Sequence, residues 1–369
     1  MIYLDYAAHT PTDERVLEAY CQVTRDFVGN PNSTHPLGQA AKQKFDACTD
    51  RIAKLLKIKQ EEIIYTSGAT ESNNLAIKGI AGAYKKNGKH IITSYLEHSS
   101  VTGPIGKLGS LGYEIDFVDI TRGGMIDLEH LEELIEEDTV LVSIGYIDSE
   151  IGLVQPIEEI GKLLKNYPNV FFHVDATQAV GKIPISIENI DLMTFSAHKF
   201  YGMTGSGVLV RKEGIQLEPL LDGGISTTVY RSGTPALPLT ASMSSALEIA
   251  YEEMQERYQL VTERYQQLKK GLSMLEGLSI NTGIHYSPFI LNFSLKNKRS
   301  AQVQEELAQA GFCVSSKSAC CAVQAPSRPV YALTKNRKAS TSTLRVGLSH
   351  LVTEKNIEDF IEALSKALE

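Results

Sequence analysis

Seven short apolar runs constrain the fold of this chain more than any other feature. EIIYTS, HIITSY, EIDFVDI, VLVSIGY, VFFHVDA, LMTFSAHK and GVLVRK follow one another up to about residue 212, and stretches of helical period and loop precede and separate them. Several are apolar at consecutive positions, the mark of strands covered on both faces. Strands alternating with helices of ten or more residues need crossover connections, so the pattern predicts an α/β fold with a mostly parallel sheet flanked by helices. Asp13 is placed to cap the first helix, with Val16, Leu17, Tyr20 and Val23 as its apolar positions. Phe45, Cys48, Ile52 and Leu55 form the stripe of the second.

The texture changes after Gly233-Thr234-Pro235. Residues from about 237 to 275 read as one long helix or a kinked pair, with Leu247, Ala250, Met254 and Tyr258 on a stripe. A strand (FILNFSL), a helix (AQVQEELAQAG), short strands (FCVSS, TLRVGL) and a closing helix (IEDFIEALSKAL) follow, the pattern of a smaller α+β unit. At 369 residues the chain exceeds twice a single-domain expectation of ~150. We expect a large domain over 12–250 and a small one from 1–11 and 251–369.

Composition narrows the function. With 36 basic against 44 acidic residues the net charge is −8, which argues against a nucleic-acid-binding face. No run approaches the ~20 apolar residues of a membrane helix, and MIYLDYAAHTP has none of the marks of a secretory leader. Five cysteines in so long a chain do not make a disulfide framework. A reducing, cytoplasmic setting is expected.

Ligands of parallel α/β sheets sit beyond the carboxyl ends of the strands. Four such ends are unusually polar. Thr66-Ser67-Gly68-Ala69-Thr70-Glu71 leads into a helix, where small residues let backbone N–H groups approach an anion; a plain helix cap would read the same way. Glu97-His98 follows the second run, and a lone histidine there is as consistent with structure as with chemistry. Asp175 ends VFFHV, where a carboxylate either caps the next helix or holds a cationic ring nitrogen. Lys199 follows LMTFSAH and is either solvated or, if desolvated, an amine able to bond an aldehyde. An acid for a pyridinium nitrogen, a lysine for an aldehyde and a small-residue loop for a phosphate together describe a pyridoxal 5′-phosphate site.

Rival signatures are weak. Ser196-x-x-Lys199 matches the S-x-x-K of serine acylases, but neither SDN nor KTG occurs. There is no GxGxxG and no GxxxxGK[ST], and adjacent Cys320-Cys321 suits zinc poorly, so no metal is expected. Cys21, Cys48 and Cys313 read as packing residues. Cys320 and Cys321 sit instead after Ser315-Ser316-Lys317-Ser318-Ala319, where a thiol near cations is a nucleophile; a tolerated surface pair is the alternative.

From YLDYAA, GNPNSTH, TSGATESNN, HVDATQ, SAHK, RSGT, SSKSAC and LRVGL, in that order, the chain resembles the cysteine desulfurases, fold-type-I pyridoxal phosphate enzymes of the class V aminotransferase group. The resemblance implies that Lys199 bonds the cofactor and moves protons, Asp175 partners its ring nitrogen, Gln178 meets its ring oxygen and His98 stacks on the ring. Ala69, Thr70, Ser196 and His198 would hold the phosphate, with Thr234 reaching that of a second subunit in a homodimer. Arg345 would bind the substrate carboxylate. Cys320 would take the sulfur of L-cysteine as a persulfide, leaving alanine, and pass it to an acceptor protein of iron–sulfur assembly or tRNA thiolation. Selenocysteine lysis, another lyase reaction on this fold, or a weakly active cofactor-binding partner protein are the alternatives. The chain departs from the family pattern at Asp148-Ser149, where Asn-Asn is usual, so that Ser149 stands in for a cofactor-contacting amide. It departs also at Ile225-Ser226-Thr227, Lys317, Cys321, Ser349-His350 and His9.

Overall fold

The computed structural model describes residues 1–316 and 325–369. Cys320, Cys321 and Lys317 lie outside the described residues. The strands, in chain order, are β1 (Ile2–Tyr3), β2 (Ile63–Thr66), β3 (His90–Ser94), β4 (Glu114–Val118), β5 (Thr139–Gly145), β6 (Phe171–Asp175), β7 (Leu192–Ser196), β8 (Gly207–Arg211), β9 (Leu278–Asn281), β10 (Ile290–Leu295), β11 (Phe312–Cys313) and β12 (Thr343–Gly347). The seven runs read from the sequence are β2 to β8, and they form one sheet in the order β2-β8-β7-β6-β5-β3-β4. Only β8 runs against its neighbours. The carboxyl ends of β2, β3, β5, β6 and β7 therefore share one edge.

Five-residue strands such as β6 and β7 are almost wholly buried because helices cover both faces. One face packs Val142, Val174 and Phe195 with the helix Ile157–Leu164 and with Met243, Leu247 and Ala250 of the helix Leu237–Glu252. The other packs Ile91, Leu141 and Leu209 against the helices Ala69–Ala83 and Ser99–Gly109. Leu237–Glu252 is buried nearly all round, and its Ala and Ser residues let the helices Glu14–Asp26 and Pro36–Leu56 come close.

A separate cluster holds Phe293, Val346, Tyr265 and Phe360 around a three-stranded antiparallel sheet, β12-β10-β9. Two-residue β1 pairs in parallel with β11, tying the first residues to the last third of the chain.

Two stripe expectations need correction. On the first helix Val16 and Val23 are buried but Leu17 is 38% exposed; it lies one residue, about 100°, round from Val16. The long helical stretch is a broken pair, Leu237–Glu252 and Met254–Ser273. Across the break Met254 stays buried while Tyr258 is 38% exposed, and Val261, Tyr265, Leu268 and Leu272 carry the buried face onward. Among the described cysteines, Cys48 is buried while Cys21 and Cys313 are half-buried.

Candidate active site

The shared strand edge opens on a cavity of about 330 Å³. Its lining includes Ala69, Thr70, His98, Ser149, Asp175, Gln178, His198, Lys199 and Arg345, so nine sequence-derived candidates from distant segments meet there. Ser196 sits just behind, its Oγ 2.8 Å from His198 Nδ1. Thr234 lines a neighbouring depression with Ser67, Gly205 and Arg231.

Each wall has a local cause. β2 ends at Thr66, and Gly68 then opens the helix Ala69–Ala83 with no side-chain cap, so its first N–H groups face outward. Close approach of β8 requires glycine here: a Cβ on Gly207 would lie 2.5 Å from Gly68 Cα. An uncapped helix start lined by Ser67, Thr70 and His198 suits a phosphate.

Asp175 is the last residue of β6, and its carboxylate is already positioned. Oδ2 accepts from Asn73 Nδ2 at 2.8 Å and Oδ1 from Thr177 N at 3.0 Å. The same Asn73 amide donates to Ser100 Oγ at 2.8 Å, which in turn meets His98 Nδ1 at 2.8 Å. Because Nδ1 also accepts from Ser100 N, the network assigns His98 the tautomer with its proton on Nε2. Burial pushes the His98 pKa below its ordinary value, which favours the same neutral ring. Burial, reinforced by Lys199, pushes His198 down to about 4.

Lys199 follows β7 in a single tight turn, Ala197–Lys199. Its Nζ donates to Ala7 O at 2.8 Å and Ala8 O at 2.7 Å, which brings the chain's first turn into the site. The lysine and Asp175 stand at the ends of adjacent parallel strands.

Arg345 on β12 closes the opposite side and is 1% exposed. Sequence alone sees a cation awaiting a carboxylate; the structure gives it Asp5. Nη2 donates to Asp5 Oδ1 at 2.7 Å and Nη1 to Ser149 O at 2.8 Å, whereas Nε has no hydrogen-bond partner among the described residues. Asp5 Oδ2 accepts from Ser315 Oγ at 2.6 Å.

Two further acids, Glu97 and Asp148, line the cavity. Burial pushes Glu97 up to about 8, against hydrogen bonds from Gly145 N and Ser94 Oγ. Asp148, 4% exposed, is pushed up to about 7 by burial and then by Glu150; its Oδ1 caps the Glu150 and Ile151 amides and its Oδ2 has no partner. An acid protonated in the folded state but ionised when unfolded loses stability for the fold as pH rises between the two pKa values. From about pH 4.5 to 8, Glu97→Gln is therefore expected to flatten the fall in stability by a few kcal/mol. Urea midpoints at pH 5 and 8 check this: an equal fall in both proteins would place an ionised Glu97 in the folded state.

The residues fit pyridoxal phosphate. The cavity offers an amine, an oriented carboxylate, an uncapped helix start and a guanidinium, and buried Thr177 Oγ1, on the same wall, has no partner of its own. Among the described residues, His90, Glu136 and Asp138 bring ligand atoms within 4.8 Å of one another, away from this cavity and with no ion. No helix among them is long and apolar enough to cross a membrane.

The family profile described as "Aminotransferase class-V" matches residues 2–360. The chain is 40% identical over 376 residues to "Cysteine desulfurase IscS" of Pectobacterium carotovorum subsp. carotovorum (strain PC1), covering 100% of this chain and 92% of that one. It is 37% identical over 378 residues to "Cysteine desulfurase, mitochondrial" of Eremothecium gossypii, covering all of this chain and 76% of that one. Among solved structures, a "NIFS-LIKE PROTEIN" superposes with a TM-score of 0.93 at 33% identity, over 100% of this chain and 99% of the other. "SspA in complex with cysteine" superposes at 0.84 and 30% identity, over 94% and 99%.

Proposed function

The chain belongs to the class-V aminotransferase family, and from that premise we propose that it is a pyridoxal-phosphate-dependent cysteine desulfurase. The observation that carries this reading is the placement of Lys199 and Asp175 at adjacent strand ends, with Arg345 and the uncapped helix start in the same cavity. When bound, the cofactor supplies an electron sink for bonds broken at the substrate's α-carbon.

The residues divide the work. Lys199 holds the cofactor's aldehyde and afterwards carries the α-proton. Asp175, fixed by Asn73 and Thr177 N, keeps a proton on the ring nitrogen. The loop at Ser67 to Thr70, with Ser196 and His198, would hold the phosphate, while neutral His98 would meet the ring and Gln178 its oxygen. Ser149 faces the cavity as a shorter donor than the amide usual in the family. Thr234, outside this cavity, reads as the contribution of one subunit of a homodimer to the other. Cys320 attacks the substrate sulfur; the carbon–sulfur bond breaks, a sulfur–sulfur bond forms, and proton delivery to the carbon skeleton yields alanine. The persulfide passes to an acceptor protein. Incubating the reconstituted protein with L-cysteine and measuring alanine tests this directly.

Arg345, which lines the cavity, is assigned the substrate carboxylate. Arg345→Ala is expected to raise KM for L-cysteine roughly 10- to 100-fold, the worth of a charged hydrogen bond, with a smaller change in kcat. Arg345→Lys keeps a charge for Asp5 but loses the fork, so its fold should survive while KM stays high. An unchanged KM in both would contradict the assignment.

A further inference from the structure

Lys182 ends the segment HVDATQAVGK and has no role in the chemistry above, yet it is 6% exposed and sits beneath the site. A buried lysine needs a reason, because its chain entropy and desolvation oppose burial. Its Nζ donates to Gln178 Oε1 at 2.7 Å, four residues back in sequence, and lies over the Phe289 ring, 5.6 Å from the centroid. Gln178 Nε2 in turn donates to Ala7 O at 2.8 Å, the carbonyl that also accepts from Lys199. An amide can sit in two flips. Here Ala7 O accepts only, and Lys182 supplies the donor that Oε1 requires, so one flip satisfies both ends. Nε2 has a second hydrogen, and Gln178 lines the cavity.

We propose that Lys182 is a positioning residue for the cofactor site: it holds the Gln178 carboxamide so that an N–H, not a carbonyl, meets the ligand's ring oxygen. The inference rests on the cofactor reading given above. Burial, with Lys199 and Arg345 adding to it, pushes the Lys182 amine down to about 7, so the amine can serve as a donor without a permanent charge beside two other cations. Replaced by an apolar side chain, it would leave Oε1 a buried acceptor with no donor, and the amide would flip or swing.

The test is a titration of pyridoxal phosphate, followed by visible absorbance, against wild type, Lys182→Met, Gln178→Ala and the double variant. Lys182→Met should weaken binding by roughly tenfold and move the absorption maximum. In the Gln178→Ala background the same substitution should add nothing, since its route to the ligand is gone. Lys182→Gln, which keeps an N–H donor, should recover much of the affinity. Full effects in both backgrounds, or no effect in wild type, would overturn the positioning role. If Lys182→Met fails to unfold cooperatively, Lys182→Gln and Lys182→Arg carry the comparison, and affinities no better than that of Gln178→Ala overturn it. Wild-type protein that binds no cofactor would instead overturn the cofactor reading, and the inference with it.

Discussion

Lys199→Ala is expected to abolish the visible absorbance of the native, reconstituted protein and to lower alanine formation by roughly 10²–10⁴-fold or more. Lys199 is the single lysine lining the cavity among the described residues. The nearest alternative amine, Lys182, is engaged by Gln178 and lies behind that wall. Among the described residues no other amine is therefore placed to replace the lost bond to the aldehyde or to carry the proton. Because Lys199 Nζ donates to two carbonyls of the first turn, the variant should lose some local order around Ala7 and Ala8; Ala7 is one small residue of the second core, whose large side chains, such as Tyr265, Phe293 and Phe360, are unchanged. Unfolding by urea should remain cooperative. A variant that kept its visible band after gel filtration would show that another group holds the cofactor.

Cys320→Ser is expected to behave in the opposite way. The visible band should survive, because no cofactor contact is assigned to that residue, while alanine formation falls by at least about 10²-fold, the scale on which loss of a reacting group acts. A serine hydroxyl is a far weaker nucleophile toward sulfur than a thiolate. Mass spectrometry after exposure to L-cysteine should show one added sulfur in wild type and none in the variant. If only replacement of both Cys320 and Cys321 abolished that addition, the neighbouring thiol would share the role.

The fold was largely legible because its main sheet is built from runs whose period differs from that of the intervening helices. Each of the seven apolar runs is a strand of the large sheet. The four-residue β9 and two-residue β1 escaped notice because pairing far along the chain, and not their own composition, makes them strands. The site was legible where a polar residue directly ended an apolar run, as at Asp175 and Lys199. It was not legible where tertiary contact gives a residue its meaning. Nothing in sequence joins Asp5 to Arg345, Asn73 to Asp175, or Lys182 to Gln178 and through it to Ala7, although Asn73 lies inside TSGATESNN and Lys182 only four residues beyond Gln178. Nor does sequence show that Glu97 and Asp148 are buried, and burial alone turns them from ordinary surface acids into groups titrating near neutrality.

The measurement that bears most directly on the central claim is alanine produced from L-cysteine by the reconstituted wild-type protein, counted beside the sulfur carried by the protein or released on adding a thiol reductant. One alanine per sulfur is expected, with dependence on pyridoxal phosphate and a rate limited without the reductant by the loaded thiol. Cofactor bound with its visible band intact, but no alanine formed under either condition, would contradict that claim.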